Sequence, residues 1–212
     1  MTITHHPSDV TLSAFASATL DEARGAVVAV HLSLCPQCRR AMRAFEHVAG
    51  RLLEDIAPEP LSAGAAERTL SRLDQPAAAA ETAAAATTDP EVPAPLPGRA
   101  LGPWRRIGLG VQWRPVQIHS DEGVRLFLLK AAPGTRLPRH RHTGTEWTCV
   151  IQGAFRHQHG RYGAGDFDEA DETVEHSPVV EDGEACVCVV ALQGNLQLES
   201  WLGRLIQPFI RL

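Results

Sequence analysis

From residue 76 to residue 97 the chain reads PAAAAETAAAATTDPEVPAPLP, with no large apolar side chain before Val92. Such a stretch cannot bury enough surface to offset its ordering entropy as part of a core. Its alanines could extend a helix, alanine being the best helix former. Residues 89–97, with a proline every few positions, should be extended. The fold must therefore be built from what lies on either side. The 212 residues divide into a unit over 1–76, a linker over 77–99 and a unit over 100–212.

The first unit has helical texture. Leu12 and Phe15 pattern a helix over 11–18. Asp21 and Glu22 open one over 20–34 that carries Val27, Val28 and Val30. Met42, Phe45, Val48, Leu52 and Leu53 recur at helical intervals over 36–53. Leu61, Leu70 and Leu73 mark a fourth over 59–73, with Pro60 near its start. Four short helices make a small core, which needs a staple. The second unit has strand texture. Apolar or alternating runs over 124–130, 146–151, 185–192 and 196–201 are bounded by glycine-rich turns, which indicates an all-β sandwich or barrel.

Bulk properties exclude several roles. A net charge of -5 leaves no basic stripe for nucleic acid, so direct DNA or RNA binding is not expected. No apolar run is long enough to span a membrane, and the N-terminus lacks a signal-peptide core, so a cytoplasmic location is expected. Five cysteines in a reducing compartment favour metal or redox chemistry over a disulfide framework.

His31, Cys35 and Cys38 stand at offsets of four and three. Pro36 suits the first turn of a new helix, which puts Cys35 at a helix N-terminus, where the dipole favours the thiolate that zinc binds. Tetrahedral zinc needs a fourth ligand, and both His5 and His6 precede this segment. The alternative, a thioredoxin-like dithiol, normally accompanies a βαβ pattern, and none surrounds this pair. Here the sequence resembles the zinc-binding anti-sigma family, whose mark is an early His followed by His-x3-Cys-x2-Cys. The run from Val28 to Arg39 is especially similar to its ChrR branch. The resemblance assigns the fourth position to His6. It also implies a four-helix domain that wraps an extracytoplasmic-function sigma factor and blocks its access to RNA polymerase.

In the second unit, His140 and His142 are two apart, so on a strand both face one side. Glu146 follows a short turn at Gly144. Two imidazoles and a carboxylate from neighbouring strands suit zinc, iron or manganese. The nearest later imidazole in a strand context is His176, with His157 and His159 as alternatives. Gly134, His140, His142, Glu146 and Gly153 match the first cupin motif, G-x5-H-x-H-x3-E-x6-G, at every fixed position. The second motif is present only in part, around Gly165, Asp166 and His176. The fold expected is therefore α + β in separate domains, a four-helix zinc-binding anti-sigma bundle followed by an all-β cupin jelly-roll barrel.

That order of domains is the order of ChrR-type proteins. The resemblance implies an anti-sigma factor, not an enzyme, that releases its sigma factor when a small oxidant, singlet oxygen or an organic hydroperoxide, is sensed at the cupin metal. A zinc ion is implied in the first site, and zinc, manganese or iron in the second. The rival expectation is a metal-dependent cupin enzyme, a dioxygenase, decarboxylase or isomerase, carrying a structural zinc domain. Cys186 and Cys188 share a strand face and read as buried small hydrophobes or as oxidisable thiols. Cys149 reads as core, and the acidic run over 166–172 as a solvated loop. Leu12, Phe15, Leu61, Leu70 and Leu73 are candidates for partner contact.

Overall fold

A computed structural model describes residues 2–73, 92–93, 96, 99–119 and 123–198. Most of the expected linker, and residues 199–201 of the last expected strand, lie outside these. Helix α1 (Asp9–Ala16) is capped by Ser8, whose hydroxyl accepts from the Thr11 N–H, and α2 (Glu22–Leu34) by Asp21, which accepts from Arg24. A single residue, Cys35, ends α2 and caps α3 (Pro36–Glu54), with Pro36 in the first turn. Helix α4 (Ala65–Leu73) starts later than the leucine pattern suggested. Pro58 and Pro60 hold the preceding residues out of helix, and Gly64 turns the chain with a φ of +71°.

Twelve strands follow: β1 (Arg105–Gly108), β2 (Val111–Val116), β3 (Val124–Ala131), β4 (His140–His142), β5 (Glu146–Gln152), β6 (Ala154–His157), β7 (Gly160–Gly163), β8 (Phe167–Ala170), β9 (Glu175–His176), β10 (Val179–Val180), β11 (Cys186–Gln193) and β12 (Leu196–Leu198). One six-stranded sheet runs β1-β2-β3-β11-β5-β8. Two three-stranded sheets, β10-β6-β7 and β12-β4-β9, complete the barrel. Every pairing is antiparallel.

The central strands are apolar on both faces, and the structure gives the reason. Along β3, Phe127 and Ala131 point into the barrel with Cys186, Cys188, Val190 and Leu192 of β11. Leu126 and Leu128 point outward with Val189 and Cys149, into the same cluster as Val27, Val28 and Val30 of α2. Helix α2 buries Ala23, Ala26, Val27, Val28, Val30 and His31, because α1 and α3 cover one face and the sheet covers the other. Fully burying each valine contributes about 1.5–3 kcal/mol. The two domains are consecutive in sequence yet share one core. Leu96, from the expected linker, is fully buried in it.

Two expectations change. Leu12 is core, and Phe15 packs half-buried against it. The acidic run is not a solvated loop: Asp166 is buried and residues 167–170 form β8. Helix α4 buries no side chain, and Leu61, Leu70 and Leu73 are exposed, as are Val48, Leu52, Leu53 and Ile56. Among the described residues no helix is long and apolar enough to cross a membrane.

Candidate metal centres

The break between α2 and α3 brings His31, Cys35 and Cys38 together, and the N-terminal segment lays His6 across them. Their donor atoms all lie within 4.8 Å of one another. His31 Nε2 is 3.2 Å from Cys38 Sγ, and His6 Nδ1 is 3.4 Å from both sulfurs. Tetrahedral zinc, with bonds of about 2.0–2.3 Å, sets its donors about 3.3–3.8 Å apart, so the set fits such an ion. His5 is engaged elsewhere, its ring stacked on Tyr162 at 4.2 Å.

The electrostatics agree with the donor chemistry. Burial pulls the His31 imidazole down to about 4, so the ring is neutral at neutral pH. Its Nδ1 donates to the Gly165 carbonyl at 2.8 Å, leaving the Nε2 lone pair aimed at the cluster. Burial, and then Cys35, push the Cys38 thiol up to about 12. A thiolate there needs a cation beside it.

Gly165 belongs to the barrel, so the helical cluster is held partly from outside its own domain. The turn from Gly163 to Asp166 clamps the N-terminal segment. The Asp166 carboxylate accepts from the backbone N–H of Thr4 at 2.6 Å, His5 at 2.9 Å and Gly163 at 2.8 Å. Burial would raise this carboxyl, but those N–H groups outweigh it and hold it below its ordinary value. Phe167 N–H donates to the His5 carbonyl at 3.1 Å. Gly165 has a φ of +91°, and a Cβ there would stand 2.5 Å from Ile3 Cδ1, so the approach requires glycine. On the far side of α2, Arg24 donates to Thr145 Oγ1 and Gln193 Oε1, at 2.7 and 2.6 Å.

The second cluster is built by register. His140 and His142 lie on one face of β4, and His176 stands opposite His140 on β9. His176 Nε2 is 2.9 Å from His140 Nε2 and 3.1 Å from His142 Nε2, and all three rings are buried. His140 Nδ1 donates to the Pro138 carbonyl at 2.7 Å, so its Nε2 is bare. Burial holds His140 low, His142 at about 4 and His176 at about 3. Three neutral imidazoles presenting Nε2 atoms to one point cannot all be satisfied by sharing protons. The buried Nδ1 atoms of His142 and His176 also lack a partner in the structure. A cation relieves the contact, so the trio fits a metal ion.

Glu146 comes from the opposite sheet, at the start of β5. Its Oε2 is 3.8 Å from His142 Nδ1, and it stands outside the 4.8 Å sphere shared by the trio. Burial pushes its carboxyl up. The structure adds Asp168, which the sequence reading placed in the solvated run. Asp168 Oδ2 is 3.2 Å from His157 Nε2, and the pair forms a second cluster with His176. The alternation of buried Phe167 with Asp168 was the available signal. Cys186 and Cys188 are buried, their sulfurs 3.7 Å apart, and His159 joins neither cluster.

Known proteins resemble this chain along its whole length. A family model described as the ChrR cupin-like domain matches residues 100–195. The chain is 42% identical over 217 residues to the anti-sigma-E factor ChrR of Cereibacter sphaeroides, with 100% of each covered. It is also similar to a crystal structure of Rhodobacter sphaeroides SigE in complex with the anti-sigma ChrR, at a TM-score of 0.76 and 38% identity. That match covers 91% of this chain and 100% of the other.

Proposed function

The chain belongs to the ChrR family of anti-sigma factors, and on that premise we propose that it binds and inhibits an extracytoplasmic-function sigma factor through its helical half. Release follows when the barrel senses an oxidant, singlet oxygen or an organic hydroperoxide. The observation that carries the binding half is a set of exposed apolar side chains on α3, on α4 and on the segment between them. Val48, Leu52, Leu53, Ile56, Leu61, Leu70 and Leu73 are each more than half exposed, and Val48 and Leu52, one turn apart on α3, share a face that suits a protein interface.

In this reading His6, His31, Cys35 and Cys38 hold a zinc ion that pins the N-terminal segment to the α2–α3 junction. His140, His142 and His176, with Glu146 facing them, hold zinc, manganese or iron, which when bound supplies a Lewis-acidic point for an oxidant. The protein acts in the cytoplasm as a regulator and not an enzyme, reaching nucleic acid only through its partner. Between the two sites the signal has a route that does not use the linker. Asp168 borders the barrel cluster, and Asp166 and Gly165, on the same β-edge, hold the helical one. A shift of β8 is felt by the segment that carries His6.

The test uses the full-length, metal-loaded chain with the host's purified extracytoplasmic-function sigma factors in gel filtration. One of them should co-elute with the wild type, and Leu52→Asp with Leu70→Asp should abolish the complex. Photosensitised singlet oxygen or cumene hydroperoxide should dissociate it in the wild type but not in His140→Ala. Failure of every sigma factor to bind, or turnover of a small molecule without sigma binding, overturns the reading in favour of a cupin enzyme.

A further inference from the structure

The outer face of the barrel carries a charge arrangement that the metal centres do not use. Arg136 bridges Val179, Val179 pairs with Arg156, and Arg156 pairs with Arg161, so these four stand in one row across neighbouring segments. Directly opposed residues share a face. The next row, Val180, Phe155 and Tyr162, is buried in the barrel core, so the arginine row faces outward. Like charges opposite one another weaken a sheet unless something compensates them. One of the three is compensated. Arg161 holds Glu181 with two nitrogens, Nε at 2.9 Å and Nη2 at 2.8 Å. Arg136 and Arg156 are exposed, and among the described residues neither forms an ion pair; Arg156 acts on Glu181 only through space.

Both free arginines line a groove of about 470 Å³, closed by Val179, Glu181, Asp182 and Gly134. Asp182 lies at the Gly134 end, its Oδ1 3.4 Å from where a Cβ on that glycine would stand. Arg136 and Val180 also border the inner cavity of the barrel, whereas Arg156, Val179, Glu181 and Asp182 do not.

We propose that this groove binds a phosphate group, held over Val179 between the guanidiniums of Arg136 and Arg156. Two inter-strand steps set their backbones about 10 Å apart. Val179 between them is short, so the two long side chains can close over it on a single ion. Two guanidiniums match the charge of a dianion. Shape decides between oxyanions: a carboxylate presents two oxygens along one edge and is satisfied by one guanidinium, whereas a tetrahedral phosphate offers oxygens to both sides. Glu181 and Asp182 border the groove with the opposite sign. They favour a small group seated between the arginines over an extended polyanion, which would have to lie against them.

The test is titration calorimetry of the full-length, metal-loaded protein with inorganic phosphate, phenyl phosphate and acetate. Phosphate should bind saturably at one site per chain, and acetate about tenfold or more weaker. Arg136→Gln and Arg156→Gln, both at exposed positions, should each weaken phosphate about tenfold with circular dichroism and zinc content unchanged. Arg161→Gln, which releases Glu181 towards Arg156, should weaken it too. A folded His140→Ala protein, altered at the barrel metal site, should bind phosphate as the wild type does. Equal affinity for the two phosphates makes the free ion the ligand, and tighter phenyl phosphate makes it an organic phosphate; either result supports the groove. The proposal is overturned by no saturable binding, by acetate binding as tight as phosphate, or by binding that survives both arginine substitutions. Loss of binding in folded His140→Ala also overturns it, by moving the anion to the barrel metal. Sigma-factor binding plays no part in these readouts, so the groove stands or falls apart from the function proposed above.

Discussion

Replacing Asp166 with alanine tests whether the barrel holds the helical metal cluster. The carboxylate accepts three backbone N–H groups, from Thr4, His5 and Gly163, at 2.6, 2.9 and 2.8 Å. A hydrogen bond to an ionised group contributes about 1.5–3 kcal/mol, and a buried donor left alone costs a similar amount. Thr4 is exposed, and its N–H returns to water, so two of the three bonds count in full. The expected loss is about 3–6 kcal/mol of unfolding free energy. The damage should also be local. The segment that carries His6 loses its anchor, so affinity of the helical site for zinc should fall by about 10–100-fold while the barrel site is spared. Urea denaturation of the full-length protein gives the first number. Zinc release to a chromogenic chelator, followed as two kinetic phases, gives the second. A loss below about 1 kcal/mol, or equal acceleration of both phases, would refute the reasoning.

Three further outcomes are expected. Cys35→Ser with Cys38→Ser should halve the zinc content of the metal-loaded protein while the barrel stays folded; unchanged zinc content by elemental analysis would count against the helical site. Leu128→Ala should cost about 2–5 kcal/mol, because Leu128 is fully buried between the sheet and α2. A cost below 1 kcal/mol by denaturation would mean that helix and sheet do not share that core. The metal-free protein should also lose stability in mild acid. Burial brings His31 and His142 to about 4 and His176 to about 3, below the ordinary 6.5. Folded values below unfolded ones make protonation favour unfolding, so stability is whole above pH 6.5 and drains away as pH falls towards 4. A flat profile of denaturation midpoints across that window would contradict the burial of these rings.

How much of this was legible in the sequence depends on the range of the interactions. Caps and breakers act locally, so Ser8, Asp21 and Pro36 sit where helix starts were expected or within three residues of them. Strands of eight residues, β3 and β11, stood out as apolar runs, but the two-residue β9 and β10 have no pattern to see. The cupin-type spacing of His140, His142 and Glu146 predicted two strands converging, and register delivered His176. What composition could not reveal was why those runs are apolar throughout. Val27, Val28 and Val30 follow one another too closely for a one-faced helix, and that crowding was the sign of a second packed surface. Asp166 was missed because a carboxylate satisfied by backbone N–H groups looks, in sequence, the same as a solvated one. Its partners Thr4 and His5 lie more than 160 residues away.

The shared α2 surface changes what the alanine-rich segment is for. Since the halves share a core that includes Leu96, the covalent connection over 74–91 adds mainly a local concentration. Doubling the length of a closing loop costs only about 0.6 kcal/mol, little beside the buried valines. Changes of length over 74–91 are thus expected to cost little stability, whereas Leu96 is fixed by its burial. Cutting the chain there is expected to leave two pieces that find each other in solution.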